Sequence, residues 1–292
     1  MRFFLFGNCD MLFGMEIVAE ESSCLLEMLS KLAPDSSKGK IRSWIREGRV
    51  SVSGKVIKEC LYTVAEGERV SLGRRSKYLD AGIELLYEDR NIVVINKPEG
   101  LLSVDAGRGL VSVHSVLKQR SSQRVYPAHR LDRETSGILV FAYGKEMQEA
   151  LKEQFAAHSI ERIYFALIQG EFKSLKGKWE SYLAEDGALN VYETQKRRGK
   201  RAVTHYRLRK VSGSYSLLEV ELETGKKHQI RVHCASAGYP VVGDKRYGNG
   251  DSPIGRMGLH AAKLGFFHPM TGKQMLFESP VPKSFLQVFG EE

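Results

Sequence analysis

The run His129-Arg130-Leu131-Asp132-Arg133-Glu134-Thr135-Ser136-Gly137, continued by Ile138-Leu139-Val140-Phe141-Ala142, decides how this chain is read. Unbroken apolar residues after a Thr-Ser-Gly turn make a buried strand, so Asp132, flanked by two arginines, stands at the edge of a core. A carboxylate in that place serves chemistry or an ion pair. Asp132 is therefore the first candidate catalytic residue.

Composition sets the bounds around it. With 292 residues and 42% hydrophobic content, the chain has room for two domains and a sizeable core. A net charge of +9 argues for a polyanionic partner rather than for any fold. Cys9, Cys24, Cys60 and Cys234 are far apart and match no disulfide or zinc spacing, so they read as the reduced thiols of a cytoplasmic protein. His228, His233 and Cys234 are close in sequence, but no carboxylate or second cysteine pair completes a four-ligand set, and no metal is expected. Asn8, Cys9 and Asp10 interrupt the faintly leader-like run Met1–Met15, no small-x-small cleavage site follows, and Met11 or Met15 is as eligible a start as Met1. Nothing later reaches the roughly eighteen apolar residues of a membrane span.

Patterning predicts helices over Glu21–Leu32 and Lys40–Glu47. In the second, Ile41, Trp44 and Ile45 recur at helical spacing, with Arg42, Arg46 and Arg49 on the other face. Gly48 ends it, and Val50–Val56 reads as a hairpin turning at Ser53-Gly54. Gly73–Gly82 carries neither periodicity and reads as a linker. Strands follow at Ile83–Tyr87 and Ile92–Lys97, a helix at Lys145–His158 and a strand at Ile163–Ile168. Further strands are predicted at Tyr206–Val211, Ser216–Glu223, Leu259–Phe267 and Gln274–Ser279, with a short helix at His228–Ala237. Many strands with few helices indicate an α+β domain with a large, mainly antiparallel mixed sheet.

The central run resembles the second motif of the RNA pseudouridine synthases, in the large-ribosomal-subunit (RluA-type) branch. The resemblance implies that Asp132 is the catalytic nucleophile. Glu223-Thr224-Gly225-Lys226-Lys227-His228-Gln229-Ile230-Arg231-Val232-His233 resembles the family's third motif, which implies that Arg231 pairs with that aspartate. An adjacent arginine would keep a desolvated carboxylate ionised. Lys227 departs from the small polar residue expected before His-Gln-Ile-Arg. Glu161–Ala166 resembles the segment whose tyrosine, here Tyr164, stacks on the target base. A flipped base offers a π-face to such a ring, and the phenol could also help remove the C5 proton. Arg130 resembles the arginine that fills the space the base leaves, and Lys97-Pro98-Glu99-Gly100 resembles a first motif of structural role.

The segment from Lys38 to Lys58 carries seven Lys or Arg against one acid and resembles the S4 RNA-binding domain, with Arg42, Arg46 and Arg49 as its RNA face. A second basic run, Lys196–Lys210, has eight Lys or Arg and no acid. Charge runs are usually solvated surface; between strands this one reads as an RNA-gripping loop, with Lys196, Arg197, Arg198, Lys200 and Arg201 on phosphates.

The expected organisation is an S4-like (αL) domain at residues 16–72, a linker at 73–82 and a pseudouridine synthase domain at 83–292. The expected activity is isomerisation of uridine in large-subunit ribosomal RNA by a monomer without cofactor, because the reaction has no net redox change and no acceptor molecule. Transfer RNA as substrate, or a non-catalytic RNA-binding or ribosome-assembly factor on the same fold, are the alternatives.

Overall fold

The computed structural model describes residues 15–73, 78–107 and 109–290. Residues 1–14 of the leader-like run and Arg74–Lys77 of the expected linker lie outside them. The chain divides into two compact units between Lys77 and Tyr78, inside the stretch read as a linker.

The first unit contains β1 (Met15–Val18), β2 (Ser23–Cys24), α1 (Leu25–Leu32), α2 (Lys38–Arg46), β3 (Val50–Val52), β4 (Lys55–Val56), β5 (Thr63–Val64) and β6 (Arg69–Leu72). Its main sheet has the order β1-β6-β3-β4. Helix α1 starts four residues later than the expected Glu21, because Ser23 and Cys24 spend their backbone groups on Val64 and Thr63. In α2, Ser37 caps the N-terminus by accepting from the Lys40 amide, and Gly48 leaves the helix with φ +67°, the left-handed conformation glycine adopts without steric cost. Ile41, Trp44 and Ile45 are buried against Leu25, Leu29, Val50 and Val70, while Arg42 and Arg46 face solvent. Ser53 and Gly54 both have positive φ, as the tight turn of the β3–β4 hairpin requires.

The second unit begins with a bridge from Tyr78 to Glu84 and a 3-10 turn at Asp80–Gly82. It continues through β7 (Glu84–Glu88), β8 (Ile92–Lys97), α3 (Val113–Arg120), β9 (Val125–Pro127), β10 (Ser136–Tyr143), α4 (Lys145–Ala156), β11 (Glu161–Gln169), β12 (Lys176–Glu185) and β13 (Val191–Thr194). β14 (Lys200–Ser212), β15 (Tyr215–Leu222), α5 (Gln229–Ser236), β16 (Leu259–Phe267), β17 (Gln274–Glu278) and α6 (Lys283–Gln287) complete it. The strands form one sheet in the order β13-β12-β14-β15-β11-β16-β10-β8-β7, with β17 on β16 and β9 on β10. Among the described residues β10 and β16 pair in parallel, and the other paired strands of this sheet are antiparallel. The α+β expectation holds. No helix among the described residues is long and apolar enough to cross a membrane.

Every residue of β10 is buried, which explains why its sequence does not alternate. Leu139, Phe141 and Tyr143 enter one core with Val113 and Leu117 of α3, whereas Ile138, Val140 and Ala142 enter another with Met147 and Leu151 of α4. A strand covered on both faces reads as a continuous apolar run. The expected loop at 196–201 is corrected: Lys200 and Arg201 belong to β14 and pair with Leu183 and Tyr182 of β12. Strand β12 escaped detection because Lys-Gly-Lys-Trp-Glu-Ser-Tyr is polar on both faces.

Gly137 sits where β10 is wedged between β8 and β16, opposite Lys97 and Ala261. Its φ is +120°, and a Cβ there would lie 2.2 Å from the Ala261 carbonyl oxygen. Gly137→Ala should cost about 3 kcal/mol or more through strain and overpacking, read as a lowered midpoint in urea unfolding. An unchanged midpoint would show that the two strands can part there.

Candidate active site

The loop between β9 and β10 carries Arg130, Leu131 and Asp132, and its shape is set by buried polar anchors. Ser103 Oγ accepts from the Leu131 amide and donates to the Leu131 carbonyl, and the Thr135 amide donates to the Asp132 carbonyl. The Lys97 ammonium, fully buried, donates to the carbonyls of Pro98, Leu101 and Arg133, which ties the end of β8 to this loop. Burial pulls the Lys97 pKa down to about 7, against the charges of Glu134 and Asp132. His129 is half-buried against Phe155: its Nε2 accepts from the Val140 amide, and desolvation pushes its pKa to about 3.

The carboxylate of Asp132, 21% exposed, opens on a small pocket of about 70 Å³ walled by Arg130, Leu131, Thr135, Tyr164, His228, Ile230 and Leu259. Arg231, from the first turn of α5, donates from Nη1 to Asp132 Oδ2 at 2.9 Å. The same guanidinium donates from Nε and Nη2 to Asp244, at 2.7 and 2.8 Å. Burial works against the charge on Arg231, but the bonds and charges of Asp244 and Asp132 outweigh it and raise its pKa. Asp244, itself fully buried, is held ionised despite burial by Arg231 and by the amides of Arg246 and Tyr247. Tyr247 lies under the guanidinium at 5.2 Å, a cation–π contact.

Tyr164 shares its face of β11 with Ala166 and Ile168, opposite Phe165 and Leu167, and packs between two core clusters. Burial pushes its phenol up to about 12, opposed by Arg162 and helped by Asp132, so at neutral pH the hydroxyl keeps its proton. Arg130 is exposed at the rim of the pocket. Asp132, Arg231, Tyr164 and Arg130, four residues spread over about a hundred positions of sequence, thus share one pocket. A groove of about 1040 Å³ adjoins it through His228 and Arg231 and bears Lys245, Arg246 and Arg256 beside Glu99, Glu134 and Asp251.

Asp244 and Tyr247 were not anticipated; they lie in an ordinary-looking Gly-Asp-Lys-Arg-Tyr loop with no motif-like spacing. Lys227, the departure from the expected pattern, is ion-paired to Glu185. His233 is buried between the hydroxyls of Ser181 and Thr204, and among the described residues no group of His, Cys, Asp and Glu is arranged to hold a metal. Of the basic run, Lys196, Arg197, Arg198 and Lys200 are exposed, whereas Arg201 is bonded to Glu180 and Glu223 and is not a free phosphate ligand. In the first unit Arg49 lies over the Trp44 ring at 5.2 Å, half-buried beside the exposed Arg42 and Arg46.

Residues 91–236, which include the runs at 97–100, 129–137, 161–166 and 223–233, match the family described as RNA pseudouridylate synthase. The chain belongs to the RNA pseudouridine synthases. It is 34% identical over 299 residues to an uncharacterized RNA pseudouridine synthase of Aquifex aeolicus, covering 93% of this chain and 94% of that one. It is 33% identical over 286 residues to ribosomal large subunit pseudouridine synthase D of Pseudomonas aeruginosa, covering 89% of each. The solved structure of human RNA pseudouridylate synthase domain containing 4 shares the fold, with TM-score 0.58 at 23% identity over 70% of this chain and 91% of that one. As a member of this family the chain is an enzyme that isomerises uridine in RNA.

Because Arg231 spends two of its three bonds on a carboxylate with no exposure, Asp244→Asn should destabilise the protein by about 3–5 kcal/mol, the usual cost of breaking a buried pair. Urea unfolding monitored by tryptophan fluorescence measures it. A loss under about 1 kcal/mol would mean that the pair is solvated.

Proposed function

We propose that the enzyme converts specific uridines of large-subunit ribosomal RNA to pseudouridine, with Asp132 as the nucleophile. The observation that carries this reading is the 2.9 Å hydrogen bond from Arg231 to one oxygen of Asp132, which leaves the other oxygen facing the pocket beside Tyr164. The relatives named ribosomal large subunit pseudouridine synthase D support the choice of RNA.

The isomerisation breaks the N1–C1′ bond, turns the base and makes a C5–C1′ bond with loss of the C5 proton. An ionised carboxylate supplies covalent catalysis, at the sugar carbon or on the base, or assists expulsion of the base. Arg231, bonded to Oδ2, keeps the Asp132 carboxylate aimed and its charge faced by a cation while the entering nucleotide excludes water. Tyr164 offers a π-face to the flipped base; with its phenol pushed up to about 12, its contribution is stacking rather than proton abstraction. Arg130, at the rim, occupies the place the base has left, where a planar guanidinium offsets part of the lost stacking. The first unit acts as an S4-like docking domain, gripping phosphates through the exposed face of α2 and the hairpin beside it.

Asp132→Asn keeps shape and removes the charge. It should bind substrate RNA within about threefold of wild type, since affinity rests on phosphate contacts, and release no tritium from C5-labelled uridine. Release comparable to wild type would remove Asp132 from the reaction. Release from transfer RNA but not from large-subunit RNA by the wild type would overturn the substrate assignment.

Replacing Arg42, Arg46 and Arg49 together with glutamine should weaken RNA binding and flatten its salt dependence by roughly one unit of slope for each arginine–phosphate pair broken. Titrations at several salt concentrations read this directly. Unchanged affinity and slope would mean that the first unit does not dock RNA through this face.

A further inference from the structure

His228 has a neighbour on each side of its ring. It caps α5 with φ +53°, and its side chain is 11% exposed. Its Nδ1 lies 2.7 Å from the Tyr247 hydroxyl oxygen, and its Nε2 lies 3.7 Å from Asp132 Oδ1. That is the oxygen Arg231 does not bond; Arg231 uses Oδ2. Tyr247 is anchored in turn, its amide on Asp244 and its hydroxyl oxygen accepting from the Val191 amide.

Hydrogen accounting then sets the tautomer. Asp132, Arg231, Lys227 and Arg246 act on His228, and burial, the largest influence, holds its pKa below the ordinary imidazole range, so near neutrality one ring nitrogen carries a hydrogen. The Tyr247 oxygen already accepts from Val191, and the acceptor that the described residues offer to its hydroxyl hydrogen is His228 Nδ1. The imidazole hydrogen is left on Nε2, toward Asp132.

We propose that His228 and Tyr247 are positioning residues for the nucleophile: the Tyr247 hydroxyl fixes His228 as the Nε2–H tautomer, and that N–H is aimed at the oxygen of Asp132 that Arg231 leaves free. At 3.7 Å the bond is not made. A closing of about 1 Å makes it, so His228 orients the carboxylate as the nucleotide fills the pocket without sequestering it beforehand. The inference rests on Asp132 being the nucleophile.

Two substitutions of His228 separate this role from a structural one. At φ +53° the backbone tolerates asparagine better than glutamine, so a purely structural role ranks His228→Asn above His228→Gln. The proposed role demands the reverse, because a glutamine amide reaches the place of Nε2 and an asparagine amide only that of Nδ1. In tritium-release assays, His228→Gln should keep kcat within about fivefold of wild type and His228→Asn should lose about thirtyfold, with RNA affinity in both unchanged within about twofold. Equal losses, or Asn above Gln, overturn the proposal.

Tyr247→Phe provides an independent reading should the His228 variants not fold. Without the donated hydrogen bond the imidazole protonates more readily, and imidazolium then pairs with Asp132. The acid limb of kcat/KM should therefore move to higher pH, and a profile superimposable on wild type overturns the proposal. Asp132→Asn run in parallel keeps the two claims apart: turnover by that variant defeats the nucleophile itself, whereas an inactive Asp132→Asn with the wrong Gln–Asn order defeats only the role of His228.

Discussion

One guanidinium shared by two carboxylates organises the second unit. Arg231 is fastened by two bonds to Asp244, which is wholly inside the protein, and reaches with its remaining nitrogen to Asp132, which is not. Such a division of labour follows from burial. A carboxylate without solvent must be neutralised and hydrogen-bonded or it will not stay charged, so Asp244 takes the better geometry and Arg231 becomes a rigid fixture. Asp132 then meets a cation whose position is already determined, with one oxygen spoken for and the other facing the pocket.

The fold supplies this meeting by bringing distant strands together. Asp132 precedes β10, Tyr164 lies in β11 and Arg231 opens α5, and these converge because β16 runs between β10 and β11. The parallel pairing of β10 with β16 at Gly137 and Ala261 is so close that only a residue without a side chain fits. Lys97 plays the complementary part at the end of β8, donating to three backbone carbonyls, one of them in the loop that carries Asp132. Buried polar groups whose every hydrogen is used hold a loop in one shape, because any other shape leaves an unmet donor in a dry place.

What could be read from sequence followed from how strongly each segment advertised its surroundings. Strand β10 declared itself by the unbroken apolar run of residues 138–142, and α2 by its Ile41–Trp44–Ile45 spacing. Asp132 stood out as a carboxylate before an apolar strand, whereas Tyr164, Arg231 and Arg130 were picked out by the resemblance of their motifs to a family; all four line one pocket. Strand β12 was silent, since a sheet strand exposed along most of its length needs no alternation. Asp244 and Tyr247 were silent for another reason: their importance lies in partners 13 and 19 residues away, and spacing along the chain carries no sign of a loop folding back on a helix.

The basic run at Lys196–Lys210 shows how charge in a sequence differs from charge on a surface. Extending β14 back to Lys200 places Arg201 across the sheet from Glu180 and Glu223, which bind it on both sides, and Arg209 against Glu219. Two cations of the run are thus answered by carboxylates that the linear sequence puts far away, and the part of it most open to a polyanion is the exposed turn at Lys196, Arg197 and Arg198. By contrast Lys245 and Arg246, which no run of charge marked out, are exposed on the groove that adjoins the Asp132 pocket through His228 and Arg231, although Arg246 also donates to Leu189 and Asn190. Coulomb attraction in water falls off within about 8–10 Å at ordinary ionic strength, so cations beside the pocket act on any anion held there more strongly than a denser cluster elsewhere. The groove, rather than the densest basic stretch, is where exposed cations adjoin the candidate site.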